Sequence, residues 1–264
     1  MSAEMMERAE AWLAASNAGI LKPPRDVEDR AGWDEYWRNH LKVGTMEQGF
    51  SDVMSSDTTL PGLLAGRGSR TILCAGNGLS TEALSLALHG FNVTALDIST
   101  VPGEVFGRML QNPEHSLRRI PGFSMHDDGS VTFGAAGSID PELCPPIHRS
   151  SDYPPRRGGS LSFVTGNLID QETCPGPFDV VIERRTVQLF PEAGRLVALD
   201  RLVARLTKRG VFVSQQHKGN WKRGDDRTHY AKTWLESHGF VIHTQTTSDE
   251  SGVARLACLM FSSG

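Results

Sequence analysis

Apolar positions follow two periods along most of the chain, a period of two that is typical of strands and a period near 3.6 that is typical of helices. Short apolar runs predict strands at 71–75, 91–97, 161–165, 178–183, 211–215, 239–246 and 253–261. Apolar residues spaced three and four apart predict helices at 3–15, 31–42, 80–89, 105–111, 191–208 and 227–238. Because strands alternate with helices, the expected fold class is α/β, with a doubly wound, mostly parallel sheet covered on both faces.

The last two predicted strands have no helix between them. Only the polar segment 247–252 connects them, so we expect an antiparallel hairpin at this end of the sheet. A fold built purely of strand–helix–strand repeats would not need such an ending.

The pattern divides the chain into a helical cap and lid at 1–69 and an α/β domain at 70–264. An insert at 112–160 interrupts the domain after its second strand, and it contains seven of the fourteen prolines. Asp128–Gly129 lies between two short β-like runs and predicts a hairpin inside the insert. Two interpretations of the insert stay open: a lid that recognises substrate, or a surface excursion without such a role.

Composition narrows the possible partners. The 264 residues carry a net charge of −4, with 39% hydrophobic and 22% charged residues, which favours a globular domain over a nucleic-acid-binding or membrane-surface protein. The four cysteines are scattered without a paired motif, as is typical of reduced thiols. No apolar run is long enough to span a bilayer, and we expect a cytoplasmic location.

Residues 71–80 read as a buried strand followed by a glycine turn, and Asp97 ends the next strand, 21 residues after Gly76. Glycines let the backbone approach a ligand closely, and such a carboxylate can bind ribose hydroxyls, so the unit predicts an adenosine-containing cofactor. Thr81 stands where a dinucleotide site has its third glycine. The alternatives are a purely structural turn, and an Asp97 that caps the following helix.

These residues resemble the class I S-adenosylmethionine-dependent methyltransferases over about residues 70–262, apart from the insert. LCAGNGLS and ALDIS resemble the family's first two motifs, and residues 164–170 and 178–185 resemble the third and fourth. The resemblance implies a seven-stranded sheet with an antiparallel last strand and S-adenosyl-L-methionine as cofactor. It implies cofactor contacts at Gly76, Asn77, Gly78, Leu79, Asp97 (ribose), Ile98, Asn167 (adenine), Leu168 (flanking the ring) and Glu183 (methionine moiety).

One position departs from the family's pattern. The acid that often stands before the first glycine is replaced by Cys74. Contacts to the methionine amino group would therefore come from backbone carbonyls or from another side chain.

A weaker resemblance points to the thiopurine-methyltransferase-like branch, which acts on small molecules. Its paired N-terminal tryptophans, which help to close the cofactor site, would be Trp33 and Trp37, and its acidic–Arg pair would be Glu183 and Arg184. Aromatic faces attract a cation such as the sulfonium of the cofactor, and the two tryptophans fall on one helix face. The alternative is that they only anchor this helix.

Methyl transfer by in-line displacement needs mainly positioning in a desolvated pocket. A general base is required only for a protonated acceptor, and the candidates are Tyr36 and His217, the latter expected in a loop after the fifth strand. Arg184 and Arg185 could hold an acidic acceptor or could form ordinary surface pairs. His217 could equally be a solvated loop histidine.

The insert also offers metal-ligand residue types, but their spacing matches no familiar zinc site and no metal is expected. These residues are Cys144, His148, His126, Asp127 and Asp128. The preferred function is methyl transfer to an O, N or S atom of a small molecule, with no nucleic acid or membrane partner. A macromolecular (RNA or protein) methyltransferase and a non-catalytic, cofactor-binding regulatory protein are the alternatives, and the oligomeric state stays open.

Overall fold

A computed structural model describes residues 10, 14–15, 18–19, 21–42, 68–80, 82–88, 91–111, 123–125, 131–133, 160–217, 233–248 and 253–260. The chain forms two compact units. The helical unit comprises Met1–Gly68, Gly78–Asn92 and Ser99–Leu161, and the sheet unit comprises Ser69–Asn77, Val93–Ile98 and Ser162–Gly264.

The described helices are few and short. They are α1 (Arg30–Lys42), α2 (Glu82–Leu88), α3 (Val101–Gln111) and α4 (Glu192–Val203), together with a 3-10 turn at Val187–Leu189. Residues 233–237 are also helical. No helix among these described residues is long and apolar enough to cross a membrane.

Seven strands form the main sheet, in the order β5-β2-β1-β6-β7-β9-β8. They are β1 (Thr71–Ala75), β2 (Asn92–Asp97), β5 (Ser160–Thr165), β6 (Phe178–Arg184), β7 (Leu206–His217), β8 (Phe240–Ser248) and β9 (Val253–Met260). β6 is parallel to both β1 and β7, whereas β9 is antiparallel to both β7 and β8. The predicted α/β class with its parallel sheet is confirmed.

Burial explains why the central strands could be predicted from the sequence. Ile72 and Leu73 of β1 and Val180 and Val181 of β6 have no exposed surface, because a parallel strand covered on both faces is apolar at nearly every position. The register pairs Ala75 with Glu183. The carboxyl ends of β1 and β6 therefore meet at one edge of the sheet, where ligands bind in open α/β folds.

Several predicted boundaries were wrong. The helix predicted at 191–208 ends at Val203, because β7 starts at Leu206 rather than at 211. Leu206 pairs with Phe178 of β6 before the register shifts. β7 also continues to His217, so that this residue ends a strand and does not lie in the predicted loop.

The insert contains the predicted antiparallel pair, formed by β3 (Phe123–Met125) and β4 (Val131–Phe133). The Asp128–Gly129 turn, the rest of 112–159 and the suggested metal ligands lie outside the described residues. Thr81, most of the helix predicted at 3–15, and residues 227–232 lie outside them as well.

Candidate functional site

The glycine turn of the sheet unit begins where β1 ends. Gly76 has a φ of +63°, a left-handed conformation that glycine adopts without a steric penalty. A Cβ built on Gly76 would overlap the Thr186 side chain. The amides of Gly76 and Asn77 both donate to the carbonyl of Leu96, at 2.8 and 3.2 Å, and this ties the turn to the end of β2.

Backbone bonds also join the ends of β2 and β5. The amide of Gly166 donates to the carbonyl of Asp97 at 2.8 Å. Asp97 and Ile98 are half-buried at the end of β2. The predicted ribose ligand therefore stands at the carboxyl edge of the sheet, beside the start of the segment that follows β5.

Asn167 and Leu168 lie in that segment. Asn167 is half-buried, and its Oδ1 accepts the amide of Ile169 at 3.1 Å. Because the carbonyl oxygen of its amide has this partner, the orientation of the side chain is set, and its NH₂ group is the donor end. Leu168 is buried.

Arg205, which the sequence analysis did not single out, anchors the connection between β5 and β6. It is fully buried, and it donates to the carbonyls of Asp170, Cys174 and Arg201 at 2.7, 2.7 and 2.8 Å. The pKa of this guanidinium is lowered, mainly by burial, and the neighbouring Cys174 and Asp170 offset part of this effect. The bonds to Asp170 and Cys174 hold in place the segment that carries Asn167 and Leu168.

Glu183 is fully buried at the end of β6. The Ser214 hydroxyl of β7 donates to Oε1, and the amides of Thr186 and Val187 donate to Oε2 at 3.2 Å each. A buried carboxylate needs such donors. These bonds shape the turn after β6, within which Arg185 has a φ of +58°.

Thr186 joins this turn to the glycine turn, a connection that the sequence analysis missed. Its Oγ1 lies 3.1 Å from the carbonyl oxygen of Arg184, 3.2 Å from that of Ala75 and 3.4 Å from that of Gly76. The contacts with Ala75 and Gly76 span more than a hundred positions of the chain, and no local pattern marks Thr186.

The remaining predicted residues of the sheet unit differ in how close they lie to Glu183. Arg184 and Arg185 are half-buried in the turn beside Glu183. His217 lies three residues beyond Ser214, the register partner of Glu183, and it pairs with Val253 of β9. At about 3.3 Å per residue, its Cα stands roughly 10 Å farther along the strand. The strand geometry does not bring His217 level with Glu183.

In the helical unit, α1 carries an aromatic cluster. Trp33 and Trp37 stack at a ring-centroid distance of 6.3 Å, which confirms that they share a helix face. Tyr36 meets Trp37 edge-on at 4.8 Å and lies 4.3 Å from His40. Burial lowers the pKa of His40.

Trp37 packs on Gly78, the second glycine of the motif. Gly78 has a φ of +51°, and a Cβ at this position would overlap the indole ring. Leu79 beside it is buried. Within the helical unit, α1 therefore covers this stretch of backbone, and glycine at position 78 is what allows the close approach.

Asp34 ties α1 to α3. Its Oδ1 accepts the hydroxyl of Ser99 at 2.5 Å and the amide of Thr100 at 2.9 Å, and Ser99 Oγ in turn accepts the amide of Val101 at 3.2 Å. The carboxylate thus caps the start of α3 from another helix. This explains why α3 begins at Val101 and not at the predicted residue 105.

Cys74, the departure from the family's first motif, is buried in β1. It stands opposite Ile182 of β6. Among the described residues, no group of three or more His, Cys, Asp and Glu residues could hold a metal ion.

No protein-family model and no curated protein matches the chain. The solved structures that share its fold include three methyltransferases. A magnesium protoporphyrin IX methyltransferase from Synechocystis PCC 6803 with bound S-adenosylhomocysteine gives a TM-score of 0.53 at 15% identity, over 90% of this chain and 98% of the other. An O-methyltransferase family protein from Burkholderia thailandensis gives 0.52 at 11% identity, over 98% and 71%.

The third structure is the 1,6-didemethyltoxoflavin-N1-methyltransferase of Burkholderia thailandensis with its substrate and S-adenosylhomocysteine bound. It gives a TM-score of 0.50 at 14% identity, over 94% of this chain and 90% of the other. At these identities the similarity shows the fold. The chain therefore has the Rossmann-like fold of the class I S-adenosylmethionine-dependent methyltransferases, as its motifs predicted.

Proposed function

We propose that this protein is an S-adenosylmethionine-dependent methyltransferase that acts on an O, N or S atom of a small molecule. One observation carries the proposal. The glycine turn after β1, Asp97 at the end of β2 and the segment after β5 are tied together by backbone bonds to Leu96 and Asp97. This is the edge of an open α/β sheet where nucleotide-like ligands bind.

The adenosine half of the cofactor is assigned to the ends of β2 and β5. Asp97 accepts the ribose hydroxyls, with Ile98 beside it. Asn167 offers its NH₂ group to the adenine, since its carbonyl oxygen is held by Ile169, and Leu168 packs on the ring. The half-buried positions of Asp97 and Asn167 support these roles, because a partly desolvated hydrogen bond contributes more to affinity than a solvated one.

The methionine half is assigned to the glycine motif, which comprises Gly76, Asn77, Gly78 and Leu79, and to the turn that Glu183 shapes. Cys74 offers no carboxylate to the amino group, so the backbone carbonyls of the turn take that role. Trp33 and Trp37 are proposed as further cofactor contacts that favour the sulfonium by cation–π attraction of about 0.5–2 kcal/mol. The close packing of Trp37 on Gly78 supports this assignment.

Catalysis is proposed to rest on positioning the acceptor in line with the methyl group in a desolvated pocket. Tyr36 and His217 are the candidate bases for a protonated acceptor. Arg184 and Arg185 are the candidate ligands of an acidic acceptor. A cytoplasmic location and the division at residue 69 belong to the same proposal.

Calorimetry tests the cofactor. The protein should bind S-adenosylmethionine and S-adenosylhomocysteine, and Asp97→Ala should weaken both by more than tenfold, because hydrogen bonds to a charged acceptor are each worth about 1.5–3 kcal/mol. Asp200→Ala removes the same charge from an exposed position of α4 and should leave the affinity unchanged. Tight binding of NAD without binding of S-adenosylmethionine would refute the proposal.

Incubation with small-molecule extracts and isotope-labelled S-adenosylmethionine tests catalysis. Transfer of the label to a small molecule supports the proposed class of acceptor. Transfer only to added RNA or protein would replace it with macromolecular methylation. Cofactor binding without any transfer would favour a regulatory role.

A further inference from the structure

The Thr186 hydroxyl lies among three backbone carbonyls of the sheet unit. Those of Arg184, Ala75 and Gly76 are 3.1, 3.2 and 3.4 Å from Oγ1. A hydroxyl carries one proton and donates to one acceptor at a time. The arrangement therefore gathers more acceptors than the hydroxyl can serve at once.

The position of Thr186 is determined by its surroundings. Its amide donates to Glu183 Oε2, and the other oxygen of that carboxylate accepts the Ser214 hydroxyl. Arg185, directly before it, has the left-handed φ of +58° that the turn requires. Threonine is also stiff at χ1 because its Cβ is branched, so the hydroxyl is held against the glycine turn.

Gly76 and Thr186 are complementary in shape. A Cβ on Gly76 would overlap both the Oγ1 and the methyl carbon of Thr186. Gly76 lies between the amide bonds to Leu96 on one side and the Thr186 side chain on the other. These contacts fix the direction in which the carbonyls of Ala75 and Gly76 point.

An ammonium group is a ligand that suits a set of carbonyls, since it brings three donors and a positive charge to neutral acceptors. We propose that Thr186 is a positioning residue for the amino-acid end of the cofactor. Before binding, its hydroxyl donates to the carbonyl of Ala75 or to that of Gly76, and so holds the glycine turn in place. It donates to Arg184, the nearest of the three, when the ammonium takes Gly76. This inference rests on the proposed function.

Thr186→Val and Thr186→Ser test the role, with S-adenosylhomocysteine and 5′-methylthioadenosine as ligands. Both ligands contain the adenosine and the thioether, but only the first has the ammonium group. Thr186→Val keeps the branched shape and removes the hydroxyl, so it should weaken S-adenosylhomocysteine about tenfold, because the carbonyls that meet the ammonium are no longer held in place. It should change the affinity for 5′-methylthioadenosine less than about twofold. Thr186→Ser should restore the wild-type affinity for both.

Unchanged affinity of Thr186→Val for S-adenosylhomocysteine would overturn the inference, and so would an equal loss for both ligands. A wild-type protein that binds neither ligand would instead overturn the proposed function. Melting temperatures establish that each variant is folded. Thr186→Ala, which removes the hydroxyl and also the methyl group, replaces the valine variant in the same comparison if that variant does not fold.

Discussion

Asp34, a residue of α1 that caps another helix, gives a specific prediction for stability. Its carboxylate accepts the Ser99 hydroxyl at 2.5 Å and the Thr100 amide at 2.9 Å. Thr100 Oγ1 adds weak contacts at 3.4 and 3.5 Å. Asp34→Ala removes all of these bonds at once, and it leaves the Thr100 amide, directly before α3, without its acceptor.

The size of the loss follows from the bonds. A hydrogen bond to a charged group is worth about 1.5–3 kcal/mol, and the lower end applies here because Asp34 is only half-buried. Two such bonds give about 3 kcal/mol, from which the higher helix propensity of alanine in α1 recovers roughly 0.6 kcal/mol. Asp34→Ala should therefore lower the free energy of unfolding by about 2 kcal/mol, at the upper end of measured capping effects.

Urea denaturation followed by tryptophan fluorescence measures this change, since Trp33 and Trp37 lie on the same helix. Glu35→Ala is the matched control: it removes the same charge at an exposed position with a smaller gain in helix propensity, and it should shift the free energy by less than about 0.5 kcal/mol. Asp34→Asn, which keeps one acceptor oxygen, should fall between the two. If Asp34→Ala and Glu35→Ala unfold at the same urea concentration, the capping argument is wrong.

Two further predictions concern buried groups. Arg205→Met should lower the free energy of unfolding by about 3–5 kcal/mol, because it removes a buried charged group that donates to three backbone carbonyls; Lys208→Met at an exposed site is the control, and equal denaturation curves would contradict the assignment. Burial lowers the pKa of His40 from 6.5, so the unfolded chain takes up this proton first and stability should fall as the pH drops below about 6.5. The difference in melting temperature between pH 7.5 and pH 5.5 should be smaller in His40→Gln than in the wild type, and an unchanged difference would refute the role of His40.

The sequence predicts best those elements whose pattern is local and strong. The buried runs of β1 and β6 are apolar because both faces of a parallel strand are covered. The polar segment at 247–252 has no room for a helix, and β8 and β9 pair directly. The turn at Gly76 and Gly78 could be predicted because glycine is the residue that combines a positive φ with such close contacts.

The contacts that shape the candidate site are not local. Thr186 touches residues 110 and 111 positions away, Asp34 reaches 65 and 66 positions ahead, and Ser214 meets Glu183 across 31. Threonine, aspartate and serine occur throughout the chain, so periodicity cannot single these residues out. The boundary of α4 was wrong for a similar reason: Leu206 is apolar and continues the helical spacing, yet pairing with Phe178 draws it into β7.

The place of β9 between β7 and β8 has a consequence for the order of assembly. β8 precedes β9 in the chain, yet it joins the main sheet only through β9. During synthesis β7 therefore has an unpaired edge until residues 253–260 have emerged. Until then β8 has no strand through which it can join the sheet. Such an edge invites pairing with other chains. Truncation before residue 253 would leave His217 and the rest of that edge without its partner strand. β9 therefore protects the protein against aggregation by covering the edge of β7.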